Sequence, residues 1–152
     1  MLAIFGGKTP APKQVIEADP QDLRDAGLSW SKVGFLKDLA ERVGDGRLDL
    51  KHLSELSDED VVATLTEIKG VGRWTAEMFL IFRLGRPDIW AIDDLGLRNA
   101  VKNLYGIEPT KPNLIEVAEP WRPWRSVASW YLWRSLANTA PSLGNQTSKV
   151  PV

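Results

Sequence analysis

Cysteine is absent from the 152 residues. Its absence excludes disulfides, a thiolate zinc site and a cysteine-held iron–sulfur cluster. Histidine occurs once, at His52. A metal role would need partners the sequence does not offer, and the expected place for His52 is a polar surface near the start of a helix. No apolar run reaches the roughly 20 residues a membrane-spanning helix needs. No charged segment followed by an apolar stretch opens the chain as a signal peptide would, so the expectation is a soluble, intracellular protein. Alternating apolar and polar runs of convincing length are also missing, which leaves little room for strands. A net charge of −1 does not by itself announce a nucleic-acid partner.

The charge that is present is unevenly placed. Residues 1 to 68 hold 8 Lys/Arg against 13 Asp/Glu, and residues 69 to 134 hold 10 against 7. A basic second half on a neutral chain is what a compact DNA-contacting face would give, although a modest bias of this kind also arises without function. Hydrophobic residues make up 43% of the chain, enough for a globular core. One domain over residues 1–140 is expected. Residues 141–152, polar, small and aperiodic, are expected to form a flexible tail.

Helix signals fill most of the chain. Asp19-Pro20 with Asp22, ending at Gly27, gives a cap, a first-turn proline and a stop for a short helix. Ser31 is expected to open a second, with Phe35, Leu36, Leu39, Ala40 and Val43 on one face and Gly44 as its end. Ser57 with Asp60 reads as a capping box ahead of Val61, Val62 and Leu65. A helix follows over about 73–84, carrying Ala76, Phe79, Leu80 and Arg83. Asp93 or Asp94 caps the next, with Leu97, Ala100, Val101 and Leu104 on its apolar face. Asn113 with Glu116 starts another, and residues 124–137 form the last. Helices joined by short polar loops predict an all-α fold, an orthogonal helical bundle.

Between the helices ending near Leu65 and beginning at Arg73 lies Lys69-Gly70-Val71-Gly72-Arg73. Both glycines can take positive φ and let another backbone come close, while Val71 can anchor the turn inward. The first amides of the following helix lack intrahelical partners, and with the helix dipole they make a site suited to phosphate. Lys69 and Arg73 add positive charge. A plain structural turn remains an equal reading of this spacing. Seven tryptophans are present, four of them in WRPWRSVASWYLW. Trp130 and Trp133 are expected to share a helix face. Core packing is the expectation for most of the seven, with one or two lining a slot for a flat ligand as the sharper alternative.

Taken together, LTEIKGVGRWTAEMFLIF, IDDLGLR and WRPWRSVASWYLW resemble the helix-hairpin-helix DNA glycosylases of the 3-methyladenine DNA glycosylase II type, over roughly residues 10 to 140. The resemblance implies a base-excision repair enzyme that holds double-stranded DNA by its hairpin, flips an alkylated purine such as 3-methyladenine or 7-methylguanine, and hydrolyses its N-glycosidic bond. Asp94 matches the essential aspartate and Asp93 its helix-capping neighbour. The same carboxylate reads without the resemblance as a plain N-cap. Trp133 matches the tryptophan that stacks on the flipped base, and Trp74 a pocket residue. The backbone carbonyls of Thr66, Ile68 and Val71 match positions that hold a monovalent cation, Na or K, and no other cofactor is implied. Strand-cutting relatives carry lysine where Trp74 stands, so a monofunctional enzyme is expected.

The family's earlier helices, with a Gln-Gln-x-Ser-like segment and the residue wedged into the DNA gap, have no counterpart here. Residues 1–7 resemble the end of such a helix. The expectation is a minimal version with a core open on one side, which invites a homodimer. The alternatives are a non-catalytic helix-hairpin-helix DNA-binding module and a helical interaction domain with no DNA role. The resemblance places the protein with DNA, at the cytoplasmic nucleoid of a bacterium or in a eukaryotic nucleus.

Overall fold

In the computed structural model, which describes residues 2–137, every regular element is a helix. The expected tail at 141–152 lies outside the described residues. The chain divides into two compact units between Arg86 and Pro87.

The first unit begins with α1 (Pro12–Glu17) and α2 (Pro20–Asp25), both opened by proline at the first helical position. The ring pre-sets φ where an amide would be idle anyway. Asp19 caps α2 by accepting from the Gln21 amide at 2.7 Å, and Gly27 beyond its end has φ +98, as expected. Both helices pack on α3 (Trp30–Gly44). The ammonium of Lys37 on α3 donates to the carbonyls of Ile16 at 2.9 Å and Ala18 at 2.8 Å, satisfying orphan acceptors at the end of α1. The cap of α3 is Ser29, not Ser31, with its hydroxyl accepting from the Lys32 amide. This places Val33 with Ala40 among the buried residues.

A 3-10 turn at His52–Glu55 follows, with exposed His52 paired to Glu55 at 2.9 Å. The hairpin helices are α4 (Asp58–Thr66) and α5 (Arg73–Phe82). Ser57 caps α4, but no capping box forms. The Asp60 carboxylate accepts from the Ser57 hydroxyl at 2.6 Å, while its own amide donates back to that hydroxyl. Aspartate is one methylene shorter than the Glu of the usual motif and takes the nearer donor.

The second unit holds α6 (Leu95–Tyr105), α7 (Lys111–Ala118) and α8 (Arg125–Ala137). Thr110 caps α7, ahead of the expected Asn113, because Pro112 belongs to its first turn. On α6, Leu97, Ala100 and Val101 are buried, but Leu104 is exposed. α6 packs on α8, and the face α8 buries is not aromatic. Its buried residues are Ser126, Ser129 and Leu132. Both serines have partners for their hydroxyls: Ser129 donates to the Arg125 carbonyl of its own helix at 2.8 Å, and Ser126 accepts from the Ile89 amide, 37 positions away, at 2.9 Å. Small hydrogen-bonded side chains can be buried at little cost, and no hydrophobic periodicity betrays them.

The tryptophans therefore go elsewhere, and the core expectation fails for most of them. None of the seven is among the buried residues, and Trp30, Trp74, Trp124 and Trp130 are exposed. Trp30 and Trp130 instead sit beneath the guanidinium groups of Arg24 and Arg134, at 5.2 and 5.3 Å, a cation–π arrangement that is favourable in water. Trp130 also stands edge-on to Tyr131.

Asp88 ties the loop before α6 to the start of α8. Its carboxylate takes the Arg125 side chain at 2.6 and 3.0 Å and Arg122 at 3.0 Å. The Arg125 hydrogen bond, foremost, holds the Asp88 carboxyl below its ordinary value. A lowered carboxylate stabilises the fold above the ordinary aspartate value of about 3.9 and loses that contribution as pH falls through the lowered one. Chemical denaturation measured across that acid range should show this loss in the parent and a smaller one in Asp88→Asn, whose stability is already reduced at neutral pH.

Candidate functional site

The candidate residues divide between the two units. In the first, the chain leaves α4 at Glu67 and turns through the hairpin. The carbonyl of buried Ile68 accepts the Val71 amide at 3.0 Å, closing the turn. The two glycines differ. Gly70 has φ +83, and a Cβ on it would lie 2.2–2.4 Å from the ring of Phe35 on α3. Gly72 has φ −92, so it does not use the left-handed freedom open to it, and it serves as the N-cap of α5. A Cβ there would meet nothing within 4 Å. Gly70 is thus required by the protein itself, whereas the free space beside Gly72 is available to another molecule. The orphan amides at the head of α5 begin there.

A second residue of α3 pins the hairpin. The Asp38 carboxylate accepts the Lys69 amide at 2.9 Å and the Arg42 side chain at 3.0 Å. The Lys69 amide hydrogen bond is the leading cause that holds the Asp38 carboxyl below the usual aspartate range. The sequence reading did not find Asp38, since a charged residue at i+3 from Phe35 looks like ordinary solvated helix surface.

Arg73 is placed differently from expectation. Its guanidinium is bidentate to Glu59 at 2.7 and 3.2 Å and also bonds Glu77 at 3.0 Å. It ties α4 to α5, and the hydrogen bond to Glu59 foremost raises its own affinity for the proton. Its charge is committed to two carboxylates, leaving Lys69 as the exposed hairpin cation; among the described residues Lys69 forms no side-chain ion pair. Trp74, in the first turn of α5, is 49% exposed. The carbonyls of Thr66, Ile68 and Val71 fall within this one turn of chain. As neutral oxygen donors they suit a singly charged hard cation better than a transition metal.

In the second unit Asp94 is the cap of α6: its Oδ1 accepts the Leu97 amide at 2.7 Å. Asp93 is not the capping neighbour. It lies half-exposed with its carboxylate 3.6 Å from Lys111. Asp94 is only 8% exposed, unusual for a cap. The same Oδ1 accepts the indole N–H of Trp133 at 2.8 Å. Two residues read separately in the sequence, one as carboxylate and one as base-stacking ring, are thereby joined in one hydrogen bond. A buried and oriented anion can stabilise positive charge developing on a neighbouring atom. The cap and the chemical reading of Asp94 are not exclusive, because the cap is what orients the group.

The model of the HhH-GPD superfamily of base excision DNA repair proteins matches residues 1–125. The chain is 39% identical over 132 residues to DNA-3-methyladenine glycosylase 1 of Schizosaccharomyces pombe, covering 85% of this chain and 58% of that protein. It is likewise 39% identical over 129 residues to the alkylbase DNA glycosidase-like protein mag2 of the same yeast, covering 82% and 60%. Among solved structures, the Schizosaccharomyces pombe 3-methyladenine DNA glycosylase in complex with abasic DNA superposes with a TM-score of 0.81 at 36% identity, covering 88% of this chain and 66% of that one. The chain thus spans about half to three-fifths of the length of the curated relatives it matches. No helix among the described residues is long and apolar enough to cross a membrane.

Proposed function

The chain belongs to the HhH-GPD superfamily of base excision DNA repair proteins, and from that premise we propose that it is a monofunctional glycosylase releasing alkylated purines from double-stranded DNA. It works where the DNA is, in the nucleoid or the nucleus. The observation that carries this reading is the Asp94 carboxylate, 8% exposed and held by two N–H donors at the head of α6. The names of relatives that match most of this chain support the substrate class.

The chemistry follows from the residues. A base must leave the stack before it can be handled. Alkylation at a ring nitrogen makes the purine cationic, so the base departs with the electron pair of the C1′–N bond and becomes neutral without a strong acid. The sugar is left with oxocarbenium character. Asp94 stabilises that charge, a water oxygen bonds to C1′, and the water's proton passes to solvent. Trp133 offers an aromatic face to a cationic ring, worth on the order of 0.5–2 kcal/mol. At the hairpin, the open side of Gly72 and the first amides of α5 receive a phosphate. The carbonyls of Thr66, Ile68 and Val71 would hold a Na or K ion, which supplies positive charge toward that phosphate.

The direct test is release of free methylpurine from methylated duplex DNA. Release supports the glycosylase. Binding without release overturns it in favour of the non-catalytic DNA-binding module. A second measurement probes the hairpin. Lys69→Ala should weaken DNA binding without sequence preference and reduce the slope of log affinity against log salt by about 0.9, the share of one phosphate contact. An unchanged slope would place Lys69 away from the DNA backbone.

A further inference from the structure

Gly96, in the first turn of α6, is neither a turn glycine nor a helix stop. Glycine within a helix costs about 1 kcal/mol relative to alanine, so its presence asks for a reason. A Cβ built on Gly96 would lie 3.0 Å from Asp94 Oδ1, 3.0 Å from Trp133 Cδ1 and 3.2 Å from Trp133 Nε1. These are the two atoms of the Trp133–Asp94 hydrogen bond, together with the indole carbon beside the donor. Glycine is the residue that leaves room for the indole edge to reach the carboxylate at 2.8 Å. The Leu97 amide fixes the same oxygen from the opposite partner, at 2.7 Å.

We propose that Gly96 and Trp133 are positioning residues for Asp94: the missing side chain of Gly96 seats the Trp133 indole N–H on Asp94 Oδ1, and this bond sets the orientation of the carboxylate for base release. The proposal rests on the glycosylase reading and adds to it a second task for Trp133, separate from stacking on a base. Alanine at residue 96 must displace the ring by a few tenths of an ångström. Displacements of that order are enough to degrade a positioned catalytic group.

Two variants separate the roles. Trp133→Phe keeps an aromatic face and removes the N–H. Gly96→Ala keeps Trp133 whole and crowds its seat. Single-turnover base release should fall at least about tenfold in each, with DNA affinity within about twofold of the parent. A Trp133→Phe enzyme as fast as the parent would overturn the positioning role, since stacking alone would then suffice. The second readout does not depend on activity. The indole N–H resonance that disappears in Trp133→Phe should be slow to exchange with solvent in the parent and fast in both Gly96→Ala and Asp94→Ala. A signal equally protected in Gly96→Ala would overturn the seating role of Gly96. Should the parent release no base, the glycosylase reading and the positioning role that rests on it fall together, while the exchange measurement still decides whether Gly96 seats the ring.

Discussion

Asp94→Asn should abolish most base release while leaving the fold as stable as the parent. The amide oxygen of Asn can still accept the Leu97 amide and the Trp133 indole N–H, as Asp94 Oδ1 does at 2.7 and 2.8 Å. Asn is also as good a helix cap as Asp. The unfolding free energy is therefore expected to move by less than about 0.5 kcal/mol. What the variant lacks is the negative charge. Removing one electrostatic partner of a developing charge costs on the order of 10²–10³ in rate, and that is the expected loss in single-turnover release. Asp94→Ala makes the complementary case. It loses charge and cap together, so about 1 kcal/mol of stability disappears with the activity. Full release from Asp94→Asn would mean that Asp94 is a cap and nothing more.

Gly70→Ala should have the largest structural effect of any single hairpin change. Its φ of +83 places a side chain in the left-handed region, at about 1–2 kcal/mol, and the added Cβ would fall 2.2–2.4 Å from the Phe35 ring. Relief requires moving Phe35 or the turn, an overpacking cost of about 1–3 kcal/mol. A loss of about 3 kcal/mol is expected in denaturant unfolding, with DNA binding lost because the hairpin is displaced. Gly72→Ala is the contrast. Its φ of −92 is ordinary and its Cβ would meet open space. Its stability cost should not exceed about 1 kcal/mol, the difference between Gly and Ala at a cap. DNA affinity should nonetheless fall about tenfold, the loss of one or two backbone contacts of about 1 kcal/mol each. Equal stability losses at the two glycines would refute this division of labour between them.

The pairing of Gly70 and Gly72 shows where reading along the chain stops short. Spacing and residue type marked both as a turn beside a helix N-terminus, and treated them alike. Only the position of Phe35, on a helix far back in the sequence, distinguishes the glycine the protein needs from the one a ligand can use. Arg73 teaches the same lesson in charge. In sequence it stands beside the phosphate site, yet Glu59 and Glu77 hold it. Their claim on it comes from α4 and α5 lying side by side.

Local chemistry was enough for the helices and their approximate ends, because caps, prolines and stops act within one or two turns. Asp19, Ser57 and the acidic pair at the head of α6 were legible for that reason, as were the all-α class and the hairpin. Tertiary structure alone decided what each side chain faces. The bond between Trp133 and Asp94 spans 39 positions, that of Asp88 to Arg125 spans 37, and that of Lys69 to Asp38 spans 31. No periodicity encodes such pairs. On α8 the buried positions went to Ser126, Ser129 and Leu132 while Trp130 stayed exposed, because burial in a packed helix face rewards a volume that fits as well as hydrophobicity, and that fit exists only once the neighbouring chain is in place.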